Sequence, residues 1–362
     1  MRKNILSIAI ALILLFSLTL PSFATNSYSL TEKDVEINGY NFTISEKSDP
    51  SYIITSTYIS PKTRTIRSID ETKALLVALG VEERIIENLS LDDLQLYATS
   101  EQIYVSNSYS KSNAVTNETT YLPKETALSA AEDLTIQQEE YYDNYINNPT
   151  SNIMPYSSMP NYSNVPGEFL DSYMQITQVV SHQGNGNLSF RVNAKWLSLP
   201  WFRGYDSLGI SAMDCVLTTN SGKCKFTCTE ADILTGYETI YRTIEETSSG
   251  SKLPVINSSG WCASAGVFHL PSDDLNTEIG ATSYKYSNFE VELTYAGRIA
   301  SPSEPRSYYV LATYDHSVLN LDFSAPTIGI NTDGELSGSV GISISRRCDT
   351  RIAGNDYYYP GR

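Results

Sequence analysis

The hydrophobic period changes along the chain. Before residue 166 a β-like opening is followed by helical patterns, and beyond it apolar and polar residues alternate in twos. The N-terminal part opens with Val35-Glu36-Ile37 and Tyr40-Asn41-Phe42-Thr43-Ile44 around Asn38-Gly39, a pair that tolerates positive φ and predicts a tight hairpin. Ser51 to Ile59 reads as a short strand stopped by Pro61. Ser68 and Glu71 then form a capping box ahead of Ala74, Leu75, Leu76, Ala78 and Leu79, and Gly80 supplies a C-terminal stop. Val81 to Asn88 continues with Ile85 and Ile86 on one side, and Ser90 with Asp93 starts a third short helix carrying Leu94, Leu96 and Tyr97. Ser100 to Thr120 is polar and rich in Ser, Asn and Thr, and predicts no element. A longer helix is expected from Pro123 to about Ile146, with Pro at its first position and Glu125 in its first turn.

Residues 147–166 carry four prolines among Asn, Ser and Tyr, which reads as a linker and a domain boundary. Beyond it the alternation predicts strands at Tyr173–Val180, Leu188–Lys195, Ile210–Thr218 and Lys223–Thr229. Further strands are expected at Tyr237–Ile244, Gly260–Leu270, Phe289–Tyr295 and Tyr308–Tyr314, and a last pair runs from Val318 to Ser345 and turns at Asp333-Gly334. Many short strands with few helix signals indicate an antiparallel β-sandwich. The expected fold class is α+β, with a mixed helical region over 25–146 and a β-sandwich domain over 167–362.

The first 24 residues alter the setting. Arg2 and Lys3 precede an uncharged run from Ile5 to Leu20, Pro21 breaks it, and Ser22-Phe23-Ala24 has the small residues that signal peptidase needs. Export with cleavage after Ala24 is expected, giving a secreted, extracellular protein with no membrane segment after cleavage. The leader holds two of the 25 basic residues and none of the 41 acidic ones, which leaves the rest of the chain with a formal charge of −18. That sign excludes nucleic acid and anionic lipid as electrostatic partners, since phosphate contacts need Lys and Arg. The 26 Tyr, against ten Phe and three Trp, suit either half-buried strands or a binding face for glycan or peptide.

The densest aromatic stretch is Trp196 to Asp206, which holds Trp196, Trp201, Phe202 and Tyr205 together with Arg203 and Asp206. Structurally these residues would plug one end of the sandwich, with Arg203 bridging to Asp206 or stacking on a Trp. Functionally, Trp196, Trp201, Phe202, Arg203, Tyr205 and Asp206 would form a platform for a sugar ring or a peptide.

Five cysteines in an exported chain leave at least one unpaired. A hairpin turning at Ser221-Gly222 would place Cys215 opposite Cys228, and a register shifted by four would pair Cys215 with Cys224 instead; a Cys215–Cys228 disulfide is expected. A metal site is not expected, because the cysteines lack a nearby His at ligand spacing. With three His in the chain, a nucleophilic mechanism would have to use His182, His269 or His316. Cys262 lies seven residues before His269, and that odd spacing turns the two to opposite faces of one strand. No G-x-S-x-G elbow occurs. The acidic pairs Glu139-Glu140, Glu245-Glu246 and Asp273-Asp274 mark no facing carboxylates. Asn331, Asp333 and Gly334 match part of a calcium loop, but Gly329 and Val340 stand where its acids belong.

Trp196-Leu197-x-x-Pro200-x-x-Arg203-x-x-Asp206, followed by the cysteine-bearing hairpin, resembles an uncharacterised exported protein type of Gram-positive bacteria with a β-rich C-terminal domain. The resemblance implies export and carries no catalytic residue. The functional expectation is a secreted, non-catalytic binding or surface-interaction module without a cofactor, whose partner is a glycan, peptide or envelope protein. The alternatives are a secreted hydrolase with an N-terminal pro-segment and an acidic partner of a cationic secreted peptide.

Overall fold

The computed structural model describes residues 29–37, 40–49, 54–59, 66–116, 118–147, 167–201, 203–233, 235–246, 253, 255–258, 260–273, 283–317, 326–330, 336–340 and 348–359. The leader with its cleavage position at Ala24, the Asn38-Gly39 turn, residues 148–166, Phe202 and the Asp333-Gly334 turn lie outside the described residues.

The N-terminal part supplies β1 (Ser29–Ile37), β2 (Tyr40–Asp49), β3 (Ile54–Ile59), α1 (Ile69–Ala78), α2 (Glu83–Glu87) and α3 (Leu91–Ala98). It continues with β4 (Gln102–Asn113), β5 (Thr119–Tyr121) and α4 (Lys124–Asn147). Both expected capping boxes form. The Glu71 amide donates to Ser68 Oγ and the Ser68 amide to Glu71 Oε2, and Ser90 pairs with Asp93 in the same way. Gly80 sits at φ 89°, a conformation that an L side chain would strain.

The C-terminal part supplies β6 (Asp171–Gly184), β7 (Asn187–Trp196), β8 (Tyr205–Met213), β9 (Cys215–Leu217), β10 (Lys223–Asp232) and β11 (Glu238–Glu246). Then follow β12 (Val255–Ser258), β13 (Trp261–His269), β14 (Tyr284–Ile299), β15 (Arg306–Ser317), β16 (Pro326–Ile330), β17 (Leu336–Val340) and β18 (Cys348–Tyr359). Among the described residues the large sheet runs β1-β2-β3-β4-β6-β7-β14-β10-β11, with β5 on β4 and β9 on β14. A second sheet runs β12-β13-β8-β15-β18, and β16 pairs β17 separately. All pairings are antiparallel, and the protein is α+β with a β-rich, sandwich-like body.

Strict alternation makes the sandwich. Phe190, Val192, Ala194 and Trp196 of β7 and Phe289, Val291, Leu293 and Tyr295 of β14 face the second sheet, where Leu208, Ile210, Val310 and Tyr314 close one core. Burying each large apolar side chain contributes about 1.5–3 kcal/mol. The opposite face of the large sheet is divided. Over β4 and β6, Ile103, Val105 and Val179 are covered by α1–α3 through Leu75, Leu79, Ile85, Ile86 and Leu94. Over β7, β14, β10 and β11 that face is polar, and α2 and α3 reach over β7 with Arg84, Asp93 and Tyr97 onto the buried Arg191 and Asn193.

Two expectations are corrected. Residues 147–166 do not separate two independently built domains, because β4 pairs β6 from Gln102↔His182 to Asn113↔Asp171 across that segment. A proline-rich composition carries no information about whether the flanking elements pair. The Cys215–Cys228 bridge is absent as well. Asp214, at φ 55°, breaks the strand, so β9 pairs β14 with Cys215 opposite Ile299, while Cys228 lies opposite Tyr241 on β11. Cys215, Cys224, Cys228 and Cys262 are free, buried thiols.

Candidate functional site

The aromatic stretch is interior. Trp196 ends β7 and donates its indole N–H to Tyr314 Oη at 2.9 Å, and Tyr314 donates to Asp206 Oδ2 at 2.5 Å. The other oxygen of Asp206 lies 2.8 Å from His316 Nδ1, which must donate because a carboxylate only accepts. The His316 ring meets Trp196 edge-on at 4.9 Å, and the Arg351 guanidinium lies 4.4 Å above the Trp196 ring. Trp201 stacks on Phe169 at 5.0 Å and meets Tyr141 edge-on. Arg203 donates to Asp273 Oδ1 at 2.6 Å and to the carbonyls of Pro271 and Tyr286, above the Phe289 ring.

The platform expected from Trp196, Trp201, Arg203 and Asp206 is therefore not at the surface. All four are 4% exposed or less, and among the described members Tyr205, at 39%, reaches solvent. Arg203 also bridges to Asp273 on a distant loop and not to Asp206. Neither partner of that pair could be matched from local sequence, since 70 residues separate them.

The groups considered for nucleophilic chemistry are mostly sealed in. Burial pushes the Cys262 thiol up to about 12, the opposite of what activates a nucleophile. His269 is exposed at the other end of β13 and meets Tyr205 edge-on. His182 is buried. β6 extends through it, and its Nε2 meets Tyr308 Oη between the rings of Tyr104 and Tyr308. No carboxylate faces it in those contacts, and burial holds its pKa down at about 4. The unfolded chain, with a value near 6.5, binds this proton more tightly, so the stability from neutral His182 is complete above pH 6.5. That stability, about 3 kcal/mol, is lost as pH falls towards 4. Urea unfolding at pH 7 and pH 4.5 should show this slope, and His182→Phe should remove about one proton's worth of it; an unchanged slope would assign the effect elsewhere.

One accessible feature is a cleft of about 220 Å³ on the polar outer face of the large sheet. Its floor is Lys225, Thr227 and Thr229 of β10, bordered by Ile240 and Arg242 of the edge strand β11. Glu290 and Glu292 of β14 form the other border, and Asn88, just past α2, and Asn288 stand at its ends. A bulge between Thr227 and Thr229 brings Cys228 to the cleft wall, where burial keeps the thiol neutral with a pKa pushed up to about 12.

Ion pairs tie the acidic border to the helices. Arg84 of α2 lies 2.6 Å from both Glu82 and Glu290, and Asn193 donates to Glu290 at 2.5 Å. Arg191 joins Glu292 at 2.5 Å to Asp93 of α3 at 2.6 Å. Beside them Lys195 is depressed from the usual lysine value by burial and then by the Arg84 charge. Lys225 and Arg242 make no ion pair or side-chain hydrogen bond among the described residues.

The sequence contained half of this site. Alternation on the strands near 223–229 and 289–295 puts Lys225, Thr227, Glu290 and Glu292 on the faces opposite the core residues. What it lacked was strand order, which sets β10 between β11 and β14 and brings together residues more than sixty positions apart.

No family model matches the chain, and no curated protein matches it. Among solved structures, the membrane-inserted form of the Clostridium perfringens NetB toxin is 7% identical and aligns over 52% of this chain and 94% of its own, with a TM-score of 0.16. Clostridium perfringens delta-toxin is 8% identical over 71% of this chain and 90% of its own, also with a TM-score of 0.16. Scores of that size carry no argument about fold or function.

Proposed function

We propose that the protein is a non-catalytic binding module that works at or outside the cell envelope, with the outer cleft of the large sheet as its ligand face. The observation that carries this reading is the pair Lys225 and Arg242, two cations with no ion-pair partner among the described residues, in an open polar cleft. Sites that hold ligands combine a concavity with a few convergent polar groups. The hydrolase alternative gains no support from His182, His316, Cys262 and Asp206, which are all buried. Export through the leader ending at Ala24, and the resemblance to exported Gram-positive proteins, supply the setting for this reading.

The test is retention of envelope and medium components by the chain from Thr25 onward, beside a Thr227→Trp variant. Thr227 lies directly between Arg242 and Glu290 in the cross-strand register, so an indole there fills the cleft, and Trp suits an outward strand position. Wild type should retain a component that the folded variant loses. Equal retention by both would remove the cleft from the account.

A further inference from the structure

Resting on the cleft as the ligand face, we infer that its occupant is an anionic saccharide, with the acid group held between Lys225 and Arg242 and the hydroxyls facing Glu290 and Asn288. The register supplies the first reason. Thr227 lies opposite Arg242, so Lys225 is the diagonal neighbour of Arg242 on the same face. Diagonal positions are about 7–8 Å apart, a span that two long side chains can close on a single carboxylate or phosphate. Arginine offers a planar fork of donors and lysine a compact charge, a combination suited to an oxyanion.

The second reason is how the other charges are engaged. The chain holds 41 acidic residues against 25 basic ones, so carboxylates are in excess. Arg84 and Arg191 each engage two of them. Among the described residues Lys225 and Arg242 form no ion pair, although Lys225 lies opposite Glu292 in the register, and both can take an external anion. The two glutamates of the cleft are turned to other cations, Glu290 to Arg84 and Glu292 to Arg191. Their remaining lone pairs are acceptors, which suits a ligand that carries hydroxyl donors beside its acid group.

Size and surface give the third. At about 220 Å³ the cleft falls below the roughly 300–1,000 Å³ of sites that enclose drug-sized ligands, and it suits a single sugar residue. Ile240, 65% exposed on the edge strand, offers the C–H face of a sugar ring an apolar contact.

Isothermal titration with methyl β-D-glucuronide, glucose 6-phosphate and methyl β-D-glucoside tests the assignment. The two anionic sugars should bind roughly tenfold or more tightly than the neutral glucoside, and rising salt should weaken them alone. Lys225→Met/Arg242→Met, checked for folding by circular dichroism, should lose that advantage and leave the glucoside unchanged. The tighter of the two anionic arms distinguishes a carboxylated from a phosphorylated source. Glucoside binding equal to glucuronide, unchanged binding in the double variant, no binding of either anionic sugar, or preferential binding of an acetylated Glu-Glu dipeptide would each overturn the inference. None of these outcomes alters what Thr227→Trp does to envelope retention, so failure of the saccharide and failure of the cleft are read separately.

Discussion

Asp273→Ala is expected to destabilise the protein by about 3–5 kcal/mol, the usual cost of stripping a buried charge of its partner. Both side chains of the Arg203–Asp273 pair are wholly buried, and the same Asp273 oxygen also accepts the Tyr286 amide at 2.8 Å. Removing the carboxylate deletes this 2.6 Å charge contact, and the Pro271 and Tyr286 carbonyls and the face of Phe289 beside the guanidinium carry no full negative charge. The loss is comparable to the net stability of many domains, about 5–15 kcal/mol. Arg203→Met/Asp273→Leu should recover much of it, because an apolar pair of similar volume has no charge to desolvate. Chemical denaturation of the two single variants and the double variant measures this. Additive losses in the double variant would contradict the coupling.

Trp196→Ala should cost a similar amount, about 3–5 kcal/mol, through the cavity left under Arg351 and beside His316. Trp196→Phe keeps most of the volume and deletes the N–H that reaches Tyr314, so a loss of only about 1 kcal/mol is expected. Equilibrium unfolding of the pair separates packing from hydrogen bonding. If Trp196→Ala left the midpoint unchanged, the residue could not be core. The functional consequence is direct: any binding lost in the alanine variant would be lost with the fold.

Local signals in the sequence located the elements well where chemistry and position coincide. The capping boxes at Ser68 and Ser90, the helix after Pro123 and the alternation of β7 and β14 depend on residues a few positions apart, and such patterns can be read in one dimension. β4 could not be read that way. Its inward positions are Ser106, Ser108, Ser110 and Ser112, small hydroxyls that give no apolar alternation. In the fold they let β18 approach closely: Ser108 donates to the Ile352 carbonyl, and Ser106 meets Tyr357 at 3.4 Å. A stretch that resembles a polar loop is thus the strand joining the N-terminal strands to the main sandwich.

The same limit governs the site. Trp196, Trp201, Arg203 and Asp206 were conspicuous by composition, yet Arg203 and Asp206 are buried with partners 70 and about 110 residues away. Lys225 and Arg242 were inconspicuous, because cations on strands are ordinary until strand order shows them to be diagonal neighbours that form no ion pair among the described residues. Conspicuous residues built the core, and ordinary ones line the cleft.

The retention assay on envelope and medium components, run with wild type, Thr227→Trp and Trp196→Phe side by side, tests the central claim most directly. A cleft-borne ligand predicts that Thr227→Trp loses the retained component while Trp196→Phe keeps it. Loss in Trp196→Phe with retention in Thr227→Trp would return the binding face to the aromatic stretch and contradict the account.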